Sequence, residues 1–330
     1  MFLEDLSSTQ VFFDRKLSSS SIKIKILNKG RIKLKKSFLM MIMATLLIAA
    51  LVVGCGGNTT DNTNGAQNPP VANGDNNQAP SEPVKEVFRV GMEAGYAPFN
   101  WTQIGDANGA VKIDGSPEYA GGYDVEIAKR IAEGLGRELV IVKTDWDGLV
   151  PSLQADKIDA IIAGMSPTAK RKESIDFSDN YYKSDLVIVV KKGGKYDGAT
   201  SLKDFNGAKV TAQLNTFHYT VVDQIEGVNK QSAMDSFPAM RVALEAGMID
   251  GYVSERPEGV SAEAANANFK LIEFTEADGF QTSDEDTAIA VGLAKGSDLV
   301  GPINEVLAGI SLDEQKEIMD KAIENQPAAQ

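Results

Sequence analysis

Five places along this chain carry side chains that could do chemistry. Arg171 offers a planar fork of donors that fits a carboxylate through two parallel hydrogen bonds; Glu173 and Asp176 are near enough in sequence to claim it for a surface ion pair instead. Asn215-Thr216 follows an apolar run and opens a predicted helix over Phe217–Ile225, whose free N–H groups suit a carboxylate. Tyr96, Phe99, Trp101 and Trp146 supply aromatic faces, and Trp146 is large and electron-rich enough to hold a cation. Glu93 and Glu255 are carboxylates next to apolar strands. Glu258 is a close neighbour that could stand in for Glu255, and a solvated loop position is the plainer reading of either. The lone histidine, His218, is assigned no role. With one His and one Cys, a zinc site built on several His is excluded, and any Ser-His-Asp or Cys-His nucleophile would have to use His218.

These groups need a scaffold, and the chain supplies one only after a leader. Phe38–Val53 is sixteen residues without a charge, preceded by Arg31, Lys33, Lys35 and Lys36. That is a secretory signal, too short to be a comfortable spanning helix. It ends in LVVGC, where the sole cysteine, Cys55, resembles a lipobox cysteine that is acylated and becomes the mature N-terminus. Residues 1–33 fit no usual signal peptide; Leu34-Lys35-Lys36-Ser37 reads as the true opening of the leader, with translation starting at Leu34. Residues 1–54 are thus expected to lie outside the folded domain, and 55–85, rich in Asn, Gly and Pro, to form a disordered tether. Residues 1–54 hold 9 Lys+Arg and 3 Asp+Glu of the chain's 33 and 46, leaving 24 basic against 43 acidic residues beyond. Such a surface repels nucleic acid and suits neutral or cationic ligands.

From Val87 the texture changes. VFRVGM (Val87–Met92), ELVIVK (Glu138–Lys143), AIIAGM (Ala160–Met165) and LVIVVKK (Leu186–Lys192) read as buried strands. Tyr123, Ile127, Ile131 and Leu135 recur every four residues, a helix stopped by Gly134 and Gly136. A second series follows: strands AKVTAQ (Ala208–Gln213), GYVS (Gly251–Ser254) and KLIEF (Lys270–Phe274), with a helix through Ala239–Ala246. TAIAVGLAK (Thr287–Lys295) and a single helix from Gly301 to about Asn325 close the chain. Alternation of strand and helix predicts an α/β fold with a largely parallel sheet.

GYAPFNW (Gly95–Trp101), GGYDVEIAKRIAEGLG (Gly121–Gly136), DWDGLVPSLQADKIDAIIAGMSPTAKR (Asp145–Arg171) and DFSDNYY (Asp176–Tyr182), in this order and spacing, resemble the amino-acid-binding family of ABC-importer solute-binding proteins. The resemblance runs from about Phe88 to Ala322. It implies a two-lobed periplasmic-binding-protein-like fold with ligand held between lobes joined by two crossing strands. Mapped here, LVIVVKK and TAIAVGL are the crossings, lobe 1 is 86–188 plus 288–330, and lobe 2 is 189–287. It also implies roles. Arg171, five residues after Ser166, takes the ligand carboxylate; Gly164 and Ser166 take part of the ammonium and carboxylate. Asn215 and Thr216 correspond to the end of the family's Q-G-T-T run, and Glu255 to its ammonium-binding Asp, one methylene longer here. Tyr96 and Trp146 match positions that sandwich the ligand side chain, and Glu93 an acidic position at its distal end. Two departures touch the site: Pro167 removes a backbone donor, and Leu214 replaces a glycine.

The expected function is therefore capture of a free L-amino acid, arginine or lysine first and glutamine or another polar amino acid as the alternative. Delivery is to ABC permease subunits, from a lipid anchor on the extracellular membrane face. No cofactor, metal or nucleic acid is expected; Asp106, Asn108 and Asp114 only faintly resemble a calcium loop. An enzyme reading, a small-carboxylate dehydratase on the same fold, would need an acid–base pair that Glu93 and Glu255 do not evidently form. A sensory receptor domain would need a spanning helix beyond Gln330. Residues 103–120 look like an insertion that rims the cleft or meets a partner, and SDEDT (Ser283–Thr287) like a solvated loop.

Overall fold

The computed structural model describes residues 86–327; the leader, Cys55 and the tether lie outside them. The first sheet has the strand order Glu138–Lys143, Val87–Met92, Ala160–Ile161, Ala288–Leu293, Asp176–Lys183. Val87–Met92 runs parallel to both neighbours, with Val87 opposite Glu138 and Val90 opposite Ala160. Its side chains explain its central place, since Phe88, Val90 and Met92 are fully buried. Fully burying side chains of this kind contributes about 1.5–3 kcal/mol each. The helix Tyr123–Gly134 turns Tyr123, Ile127 and Ile131 onto this core, as their four-residue spacing predicts.

The second sheet has the order Asn229–Lys230, Lys209–Thr211, Gly251–Glu255, Leu186–Lys191, Phe269–Ile272. The first three strands are parallel, and Leu186–Lys191 is antiparallel to both its neighbours. The chain leaves the first sheet after Lys183 and enters the second at Leu186; it returns through the short helix Asp284–Thr287 into Ala288–Leu293. The two crossings lie side by side, with the Ser184 N–H donating to Thr287 O at 3.1 Å. The change of sheet thus falls before Leu186 and not at 188. SDEDT is not a loop, because Ser283 and Asp286 form a reciprocal capping box that nucleates the turn.

Three further elements differ from the expectation. AIIAGM pairs only over Ala160–Ile161, because Gly164 turns the backbone into the left-handed region at φ 62°. The C-terminal helix is two helices, Val300–Ala308 and Leu312–Asn325, since Ser311 restarts the helix by accepting the Glu314 N–H. The 103–120 segment is part of a four-stranded antiparallel sheet ordered Gly95–Tyr96, Asn100–Gln103, Tyr119–Gly121, Val111–Lys112. Among the described residues no helix is long and apolar enough to cross a membrane.

Candidate functional site

The site lies where the C-terminal ends of the first-sheet strands face those of the second. Arg171 stands on the one-turn helix Ala169–Lys172. Neither Glu173 nor Asp176 claims it; Asp176 pairs with Lys295 at 2.7 Å. Its Nη1 donates to Ser166 O at 2.8 Å and its Nη2 to Asn215 O at 3.2 Å, so it bridges the two sheets. Its Cζ lies 5.1 Å from the centre of the Trp146 ring. Burial lowers the guanidinium pKa to about 10, against the opposing pull of Glu255, and the group stays charged at neutral pH.

Tyr96 meets three partners. Its ring stacks on Phe237 of the other sheet, 4.3 Å between centres and 6° from parallel. Its hydroxyl donates to Glu255 Oε2. Its edge rests on Gly164, where a Cβ would come within 2.6 Å of Tyr96 Cε1, so both the left-handed backbone and the close approach require glycine there. Glu255 ends the strand Gly251–Glu255 and is fully buried. Its Oε1 lies 2.8 Å from His218 Nε2, an ion-pair distance with the ring nitrogen off the line of a hydrogen bond. Burial alone would raise the carboxyl pKa; the His218 ring and the Tyr96 hydroxyl outweigh it and hold the group below its ordinary value.

Glu93 accepts a hydrogen bond from Gln213 Nε2 at 3.1 Å. Burial drives its pKa up to about 7; the Gln213 bond resists this, and the charges of Asp145 and Asp147 add to it. Asn215 sits in the left-handed region at φ 56°, a conformation asparagine tolerates, and its Nδ2 donates to Asp147 Oδ1 at 2.8 Å. Thr216 Oγ1 turns back to Gln213 O at 2.7 Å. The helix that Thr216 opens spans only Phe217–Val221 before a 3-10 turn, shorter than expected, so its dipole is small.

Six of the nine positions, Tyr96, Trp146, Gly164, Ser166, Arg171 and Thr216, line one cleft with Gln213, Phe217, His218 and Phe237; Glu93, Asn215 and Glu255 are tied to that lining by hydrogen bonds with Gln213, Arg171 and Tyr96. The cleft holds about 10 Å³ of water-sized space, roughly one water and far less than an amino acid needs. Entry of such a ligand requires the two sides to part. Glu258 does not stand in for Glu255: it is fully buried elsewhere, bound by Arg241 Nη2 at 2.8 Å and by the Tyr252 hydroxyl at 3.0 Å. Phe99 and Trp101 are core residues. The 103–120 insertion does not rim the cleft. Gln103 and Asn108 instead line a separate cavity of about 250 Å³, with Trp101, Glu126, Arg130 and Lys321. Sequence reading missed His218, Gln213 and Phe237; of these, Phe237 carried a local signal, because Ser236 and Pro238 mark a helix start at that point.

Residues 88–325 match the family model for bacterial extracellular solute-binding proteins, family 3. The chain belongs to that family. Its members here are amino-acid-binding components of ABC importers and not enzymes. A probable histidine-binding protein of Campylobacter jejuni is 30% identical over 197 residues, covering 57% of this chain and 71% of the relative. The L-cystine-binding protein of Escherichia coli is 31% identical over 234 residues, covering 70% and 80%. Among solved structures, an amino acid ABC transporter substrate-binding protein from Streptococcus pneumoniae bound to L-arginine superposes with a TM-score of 0.64 at 27% identity, covering 72% of this chain and 94% of that one. The two-lobed fold is the one the sequence predicts.

Proposed function

We propose that this member of the family captures a basic L-amino acid, arginine first, between its lobes and presents it to an ABC permease from a lipid anchor at Cys55. The observation that carries the reading is the charge layout of the cleft. A free amino acid brings a carboxylate, an ammonium and a side chain. Arg171 answers the first, buried Glu255 the second, and Glu93, on the far side of Tyr96 in sequence, a distal cation. The structural neighbour bound to L-arginine supports the same choice. Lobes joined by two adjacent crossings can part and close as hinged bodies. The closed form would then offer all three contacts at once, and a ligand shifts the population toward the form it binds better.

The test is a calorimetric and thermal-shift screen of the common L-amino acids. Arginine is expected to give the largest shift, with a dissociation constant at or below about 1 µM, about −8 kcal/mol. Stabilisation by no amino acid would overturn the reading. The anchor is tested separately, by metabolic labelling with palmitate. The chain should take up label and partition into detergent, and Cys55→Ser should abolish both; an unlabelled native protein would remove the anchor while leaving the ligand reading intact.

A second reading is favoured by one observation. A Glu93 pKa of about 7 leaves the carboxyl partly protonated at neutral pH, able to donate a hydrogen bond to a neutral amide. Glutamine is therefore the competing ligand, and the pH dependence of affinity separates the two.

A further inference from the structure

The resemblance assigns the walls around the ligand side chain to Tyr96 and Trp146, both on the first lobe. The geometry points to a different pair: we propose that Phe237, from the second lobe, is the wall opposite Tyr96, that the two rings select a planar cationic or ureido side chain, and that Trp146 is a positioning residue for Arg171. This rests on the amino-acid reading above and narrows its substrate class.

Three observations carry it. First, one face of Trp146 is already engaged. The Arg171 guanidinium lies over it at 5.1 Å while Ser166 O and Asn215 O fix its two amino groups. A cation held in this way is oriented for a carboxylate, and the indole contributes by holding it. Second, Phe237 is fully buried and parallel to Tyr96. Its position is fixed from behind: Ser236 Oγ accepts the Ala239 N–H at 3.4 Å, Pro238 fixes the first turn, and Tyr252 packs against the Phe237 ring edge-on at 6.3 Å. Tyr96 is fixed in turn by Phe99, 4.9 Å away, and by Gly164. Third, the distal carboxylate is tied to this ring pair. Gln213 Nε2 donates to Glu93 and also to Asp235 O, each at 3.1 Å, and Asp235 lies two residues ahead of Phe237.

The consequence is geometric. A flat group between two rings needs roughly 3.5 Å on each side, so the rings must stand roughly 7 Å apart. Their centres are 4.3 Å apart. Because the walls belong to opposite lobes, parting the lobes by roughly 3 Å opens a slot of that thickness. A guanidinium fills the slot with two π-faces and turns its edge to Glu93. A lysine ammonium has no face and leaves a gap. Selection and closure are then the same event, since only a side chain of the right thickness lets Arg171 and Glu255 engage together.

The test is isothermal titration of the intact chain and its variants with L-arginine, L-citrulline and L-lysine. Citrulline keeps the planar head without the charge. Phe237→Leu is expected to weaken arginine and citrulline about tenfold and lysine less than about threefold. Trp146→Leu is expected to weaken all three by one common factor, because it acts through the shared carboxylate. Equal losses for the three ligands in Phe237→Leu would overturn the clamp, as would a selective loss in Trp146→Leu. A melting curve checks that each variant folds; if Phe237→Leu does not, Phe237→Tyr keeps the ring face and should leave the arginine-to-lysine ratio within about threefold, and a larger change would overturn the proposal. Wild-type protein that binds none of the three while another amino acid stabilises it would overturn the clamp and leave the amino-acid reading standing; stabilisation by no amino acid would overturn both.

Discussion

Glu93 makes the ligand question one of proton linkage. Its carboxyl has a pKa of about 7 in the folded protein, raised from 4.5 chiefly by burial. A ligand guanidinium beside it would favour the charged form, and an opposite charge at about 4–6 Å lowers a carboxyl pKa by about 1–3 units. Binding arginine below pH 7 must then release a proton, and arginine affinity should rise with pH by up to about tenfold per unit, levelling off above pH 7. A two-unit drop on binding gives a gain of about 50-fold between pH 5 and pH 8. Glutamine, which accepts a hydrogen bond from the protonated acid, should bind equally well or better at the acid end. Glu93→Gln tests both statements. It should flatten the arginine profile and cost arginine about 2 kcal/mol at pH 8, about thirtyfold, while changing glutamine affinity little. The assay is calorimetry at half-unit steps in two buffers of different ionisation enthalpy, so that proton release is read directly. The unliganded fold shows the linkage in its other sign. The folded state holds this proton more tightly than the unfolded chain, so the Glu93 contribution to stability falls as pH rises from 4.5 to about 7. A wild-type arginine profile that is flat between pH 5.5 and pH 8 would refute the reasoning, because no titrating acid would then face the ligand.

Two other substitutions separate common from selective contacts. Arg171→Ala should weaken every amino acid by about 2–5 kcal/mol, roughly thirtyfold or more, because the carboxylate is common to all; near-unchanged affinity in calorimetry would place the carboxylate elsewhere. Asp124→Ala should cost about 3 kcal/mol in urea unfolding, because Asn100 Nδ2 and the Tyr181 hydroxyl, at 2.7 and 2.8 Å, lose their buried acceptor. It should also weaken ligand binding, since the Tyr181 hydroxyl accepts the Gly164 N–H at 3.3 Å and so helps hold the binding loop. An unchanged unfolding midpoint would mean that the network is dispensable.

What could be read in the sequence depended on whether the signal was local. Val87–Met92 and Glu138–Lys143 were legible to the residue because each is a short run rich in Val and other apolar residues with charged residues at its limits. Tyr123–Gly134 was legible from its spacing, with the burial of Ile127 and Ile131 following from it. The expected C-terminal helix covers both observed helices, and only the break between them escapes it, because Ser311 interrupts the pattern as a cap. The small sheet built on Asn100–Gln103 was missed because its strands are two to four residues long, too short to show alternation. The candidate site divides in the same way. Arg171 and Tyr96 stand in motifs of distinctive spacing, with Glu93 two residues ahead of the second, and were picked out as candidates. His218 and Gln213 were not, because their importance is a matter of partners: Glu255 is 37 residues from His218 and Glu93 is 120 from Gln213 in the chain. Nothing in a window around either residue shows which side chain will face it.

The cross-cleft contacts form a pattern when taken together. Asn215 O accepts from Arg171, the Tyr96 hydroxyl donates to Glu255, and Gln213 donates to Glu93. In each case a charged or ionisable group that the proposed function assigns to the ligand holds a neutral partner from the opposite lobe. An arriving basic amino acid would exchange each of these: a carboxylate for the Asn215 carbonyl, an ammonium for the tyrosine hydroxyl, a guanidinium for the glutamine amide. Hydrogen bonds between two charged groups are about twice as strong as neutral ones. The number of bonds across the cleft would stay nearly constant while their strength rises. Such an exchange keeps buried Glu255, and half-buried Arg171 to a lesser degree, from losing partners as the lobes move, which for a buried ion would otherwise cost several kcal/mol. It also makes the affinity a difference between two satisfied arrangements. Net charge at each of the three points, more than the number of contacts, then discriminates among amino acids, and Glu93, the one point whose charge varies near neutral pH, is where that discrimination can be tuned.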